Sequence, residues 1–93
     1  MVALLLAIAG CSSGPPVQEM SDARQAIAVA REAGAAKLAP DELRIAEDYL
    51  SSAQQNLSQR AYAQARRDAV AAKSKALDAL ATTEASSQNN PPR

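Results

Sequence analysis

The chain has no histidine, no phenylalanine and no tryptophan, and only one cysteine among its 93 residues. Each absence removes a class of function. Without histidine there is no Ser-His or Cys-His couple to activate a nucleophile. A lone cysteine forms neither an intrachain disulfide nor a zinc cluster. The three glycines, Gly10, Gly14 and Gly34, are scattered, so no glycine-rich phosphate loop is present. Charge of one sign is also missing. Ten basic residues balance ten acidic ones, so no nucleic-acid partner is expected. The aromatic residues are limited to Tyr49 and Tyr62. No cofactor and no metal site is expected, and the chain is read as a non-enzyme.

What is present is alanine, spread along most of the length. Alanine is the best helix former, but it contributes little apolar area to a core. A chain this short makes one domain at most and buries proportionally little of its surface. Close-packed helices of modest stability follow, with a partner to complete the burial.

The N-terminal segment differs from the rest. Val2 to Ala9 is a run of eight apolar residues, whereas a membrane-crossing helix needs about 20. The run suits the apolar region of a signal peptide. It ends in Ile8-Ala9-Gly10-Cys11, followed by Ser12, Ser13, Gly14, Pro15 and Pro16. That stretch breaks a helix and reads as a tether. The four residues resemble the bacterial lipobox, in which an aliphatic and two small residues precede a cysteine. The resemblance implies cleavage after Gly10 and lipid on Cys11, with residues 1–10 removed and 11–16 left as the lipidated tether. Several acyl chains anchor far more firmly than one, at roughly 0.8 kcal/mol per buried methylene. Ser12, after the cysteine, is permissive for the outer membrane under the same resemblance. No Lys or Arg precedes the apolar run; a start upstream of Met1 would supply one.

Beyond the tether the pattern is helical, with an expected helical domain over 17–85. Met20, Ala23, Ile27, Ala30 and Gly34 recur at alternating spacings of three and four, one face of a helix over about 17–33. Gly34 is a natural stop. Pro40, with Asp41 and Glu42 behind it, opens a second helix over about 40–57. Proline at the first position loses no hydrogen bond, and acids there meet the positive dipole end. Leu43, Ala46, Leu50, Ala53 and Leu57 form its stripe, which Ile45 and Tyr49 widen. A break near 58–60 precedes a third helix over about 61–85. Its stripe is Tyr62, Ala65, Ala69, Ala72, Ala76 and Ala79, with Val70, Leu77 and Leu80 beside it. Residues 86–93 are polar with two prolines and read as a disordered tail.

The expected architecture is all-α: an antiparallel helical hairpin or a loose three-helix arrangement with coiled-coil-like packing. The second helix carries four acids against Arg44, and residues 60–84 carry five bases against three acids. Antiparallel pairing of these two would bring unlike charges together, each exposed pair contributing about 0–1 kcal/mol.

The mature chain also resembles a family of short bacterial lipoproteins, the domain of unknown function 4398. The residues that carry the likeness are Ala30-Arg31-Glu32-Ala33-Gly34-Ala35, then Ala39-Pro40-Asp41-Glu42-Leu43, then Ala46, Leu50, Ala53 and Leu57. Tyr62, Ala65-Arg66, Ala69, Ala72 and Ala76 complete it. The family has no assigned activity, so the resemblance implies an address and an architecture.

The remaining polar groupings read as surface. Glu47 and Asp48 are neighbours on a helix and point about 100° apart, so they do not converge on one substrate atom. Arg66 and Arg67 are expected to complement the acidic helix. Tyr49 and Tyr62 are expected to pack together at the hairpin end. Two functions fit: a structural or interaction module of the envelope, through an envelope partner or self-association, or a small periplasmic carrier holding a ligand between helices. In both the chain faces the periplasm from a membrane, the outer membrane favoured by Ser12.

Overall fold

Helix signals in the chain translate directly into backbone geometry in the computed structural model, which describes residues 14–89. The first helix, α1 (Val17–Ala33), starts on Pro16, whose carbonyl accepts the Met20 amide at 3.0 Å. It ends at Gly34, which adopts φ 106 and donates its amide to Arg31. A residue with a Cβ is strained in that left-handed region. The expected connector contains a single helical turn, α2 (Ala35–Leu38), and then α3 (Pro40–Ser58) begins at Pro40 with Asp41 and Glu42 in its first turn.

A three-residue turn links α3 to α4 (Tyr62–Asn89). Two hydrogen bonds close it: the Ala61 amide reaches the Asn56 carbonyl at 2.8 Å, and the Arg60 amide reaches Leu57 at 3.0 Å. This is the Schellman pattern, whose left-handed position usually holds glycine. Here Arg60 holds it, at φ 63.

The fold is all-α. The three long helices run up, down and up, and α4 packs against both α1 and α3. Its inward edge is Ala65, Ala69, Ala72, Ala76 and Ala79, all fully buried. Alanine at every contact lets the neighbouring axes approach closely. Opposite the upper part of this seam lie Ile27, Ala30, Ala35, Ala39, Leu43 and Ala46. Met20 and Ala53 close the lower part against Ala69.

Four expectations are corrected here. Ile45 and Tyr49 do not widen the buried stripe of α3 but are exposed. Val70 and Leu77 likewise face outward on α4. Of the three larger groups expected beside the α4 stripe, Leu80 alone packs against the core. Third, α4 continues through Ser86 to Asn89, past the expected end at Ala85. These residues include neither proline nor glycine, and serine and asparagine lower helix stability only slightly. Fourth, the interhelical ion pairs among the described residues do not bridge α3 and α4. Arg31 pairs with Glu47 between α1 and α3, and Arg66 with Glu19 between α4 and α1 at 3.3 Å.

Candidate functional site

Gly10 and Cys11, the expected cleavage and lipidation residues, lie outside the described residues, as do Ile8 and Ala9 of the same motif and Ser12. Within the described bundle, side-chain chemistry collects along a polar seam and in surface hollows.

The polar seam lies between α3 and α4. Asp68, only 8% exposed, points from α4 toward α3. Its Oδ2 accepts from the Ser52 hydroxyl at 2.7 Å and from the Asn56 amide at 2.8 Å. Its Oδ1 accepts from Gln64 at 3.3 Å. Ser52 and Asn56 are four apart, so they share one face of α3, and an ionised carboxylate is a pure acceptor that suits three donors. Further along, the Thr82 hydroxyl donates to Glu42 at 3.1 Å. The two contacts lie at opposite ends of α3 and hold its register against α4. Sequence reasoning passed over Asp68. The available signal was a carboxylate placed between Ala65 and Ala69 of the buried stripe.

Thr83 was also passed over, although the series 69, 72, 76, 79 continues to it. It is 1% exposed, and its hydroxyl has no hydrogen-bond partner among the described residues. A buried unpaired hydroxyl is unfavourable by about 1–3 kcal/mol.

One hollow, about 540 Å³, is an open groove between α1 and α3. Ile27 and Leu50 form its apolar part, and Arg24, Arg31, Glu47, Ser51 and Gln54 surround them. Arg31 Nε donates to Glu47 at 3.1 Å and its Nη2 reaches the same oxygen, so the pair latches the groove. Arg24 is exposed at its side. A second hollow, about 200 Å³, lies between α1 and α4, lined by Asp22, Gln25, Ala26, Val29, Lys73 and Leu77. The third, about 280 Å³, lies on α3 against Ile45, Asp48, Tyr49 and Ser52.

These positions settle the surface pairs. Glu47 turns to α1 while Asp48 lines the hollow on α3, so the adjacent carboxylates diverge. Arg67 does not complement α3 as expected, and Arg66 turns to α1. Arg66 binds Glu19 and the Gly14 carbonyl, and Arg67 binds Gln64 of its own helix. Tyr49 and Tyr62 do not meet at the hairpin end. Tyr49 lies nine residues before Ser58, or about 13 Å along the axis, and Tyr62 is absent from its hollow.

Among the described residues no group of three His, Cys, Asp or Glu side chains is placed to hold a metal ion. No described helix is long and apolar enough to cross a membrane. A family model covers residues 18–90, from the second residue of α1 to just past α4. The chain belongs to the family described as domain of unknown function (DUF4398). The DUF4398 match takes in every helix of the bundle, including both sides of each hollow. No curated protein and no solved structure matches the chain. The DUF4398 assignment therefore covers the folded part and assigns it no activity.

Proposed function

We propose that this DUF4398 chain is a lipid-anchored envelope protein whose bundle serves as an interaction module. The address rests on Ile8-Ala9-Gly10-Cys11: cleavage follows Gly10, Cys11 carries the lipid, and Ser12 is permissive for the outer membrane, which the reading favours, with the bundle facing the periplasm. The role rests on one observation, the inversion of side-chain size. Alanines fill the interior, while Val29, Ile45, Tyr49, Val70 and Leu77 are turned outward. Val29 and Leu77 share the α1–α4 hollow and Ile45 and Tyr49 the hollow on α3, and exposed apolar groups that cluster mark a binding face. An alanine seam also leaves little interior volume for a ligand. The reading is non-catalytic, since the chain has no histidine and its one thiol is committed to lipid.

The carrier reading has one observation in its favour, the groove of about 540 Å³ with Arg24 beside Ile27 and Leu50. An open channel with an unlatched cation on one wall suits an anionic amphiphile.

Labelled palmitate tests the address: incorporation is expected in the native chain and none in Cys11→Ser. Palmitate-free native protein recovered from the soluble fraction would refute the anchor. Sedimentation equilibrium and melting at several concentrations test the role. Self-association, or saturable binding to an envelope protein abolished by Leu77→Glu, supports the module. A strictly monomeric protein that takes up a fatty acid in the α1–α3 groove replaces it with the carrier.

A further inference from the structure

The two ends of the bundle differ in electrostatics. α1 and α4 begin, and α3 finishes, at the same end, so two positive dipole ends stand there against one negative. Residues 55–67, spanning the α3–α4 turn, contain Arg60, Arg66 and Arg67 and no acid. Glu19 of α1 is neutralised by Arg66. Asp68 is buried beneath its three donors and Asp22 is only partly exposed, in the hollow it shares with Lys73, so Arg60 and Arg67 are the exposed charges of this end. Arg67 is tied to a neutral partner, Gln64. Arg60 takes the left-handed position of the turn, φ 63, where glycine would be unstrained. An exposed cation thus sits where the backbone is better served by no side chain. Strain of this kind is a pointer to function.

The chain leaves the bundle at this same end, and its path is held. Pro16 is fully buried. Arg66 Nη2 donates to the Gly14 carbonyl at 2.9 Å. Cys11 precedes Gly14 by three residues, a reach of at most about 11 Å.

We infer that this end rests on the membrane, with Arg60 and Arg67 against anionic phospholipid head groups and the far end of α4 directed away. The inference builds on the reading that Cys11 carries lipid. A tether this short keeps both guanidiniums within reach of the head groups. Each arginine beside an anionic surface favours contact by about fivefold, so the pair biases the docked orientation by about 30-fold. The bundle then stands on the bilayer and turns its outward apolar groups sideways to a partner.

The test uses the mature chain from Cys11 onward, coupled through its thiol to a maleimide lipid in phosphatidylcholine vesicles with and without phosphatidylglycerol. The chain has no tryptophan, so Gln59→Trp at the α3–α4 turn and Leu38→Trp at the opposite end each report alone. The quencher is a head-group spin label. With phosphatidylglycerol, Gln59→Trp should be quenched and Leu38→Trp spared. The contrast should vanish at about 1 M salt, where the Debye length is about 3 Å, and in Arg60→Glu/Arg67→Glu, which circular dichroism should show as folded. Equal quenching at both sites, or a contrast indifferent to lipid charge, overturns the inference. Chemical coupling fixes the tether whether or not a cell lipidates Cys11. Failure here is therefore separate from failure of the palmitate experiment.

Discussion

Two residues hold left-handed backbone, and their side chains make opposite predictions. Gly34 has φ 106, and a Cβ there would meet no neighbour within 4 Å. Only the backbone resists substitution, so Gly34→Ala should lower stability by about 1–2 kcal/mol. Arg60 has φ 63 in the same role at the end of α3. Arg60→Gly should raise stability by about 1 kcal/mol, read as a higher denaturation midpoint with unchanged slope. Thr83 offers a third measurement. Its buried hydroxyl is unpaired among the described residues, so Thr83→Val should stabilise by about 1 kcal/mol and raise Tm by about 4–8 °C. A loss of stability in Thr83→Val would mean the hydroxyl has a hydrogen-bond partner after all. Gly34 was legible in the sequence as a stop. Arg60 was not, because a break near 58–60 does not say which residue takes the strained position.

At the scale of the element, α4 divides between a face that tolerates no volume and one that tolerates much. Ala76 is fully buried and its neighbour Leu77 is 46% exposed. Ala76→Leu should destabilise by about 3 kcal/mol through overpacking, whereas Leu77→Ala should change stability by no more than about 0.5 kcal/mol. Chemical denaturation of the two variants side by side checks both. The α3–α4 contact is fixed differently. Asp68 takes hydrogen bonds from Ser52 and Asn56, so Asp68→Ala should destabilise by about 1–3 kcal/mol by orphaning two donors. A double-mutant cycle with Ser52→Ala should show coupling. Additivity would show that the contact contributes nothing. The alanine spacing announced which edge of α4 is buried. It did not announce Val70 and Leu77 outside, because in an alanine-rich helix either rim of the stripe is equally apolar.

For the whole molecule, the deciding feature is that α1 and α3 share one partner. Both pack on the alanine seam of α4, while their mutual border is the open groove latched by Arg31 and Glu47. Loss of the seam therefore releases both helices together. Native-state hydrogen exchange should show the central amides of α1 and α3 opening with similar free energies, in one unfolding unit. Independent early opening of α1 would contradict a shared core. The latch is exposed on both sides, so Glu47→Gln should lower stability by less than about 1 kcal/mol while leaving the groove in place.

Read alone, the sequence determined the helices and their buried stripes, because 3-4 spacing, Pro40 and Gly34 act within one or two turns of the chain. It also carried the lipobox resemblance, since Ile8 to Cys11 is contiguous. The tertiary structure decided what depends on distant pairing: the central place of α4, the partners of Arg31 and Arg66, the donors around Asp68, and the turning outward of Ile45, Tyr49, Val70 and Leu77. The physical reason is one of range. Backbone preferences are set by near neighbours, whereas the side of an apolar rim that is covered depends on how closely three alanine-lined axes approach.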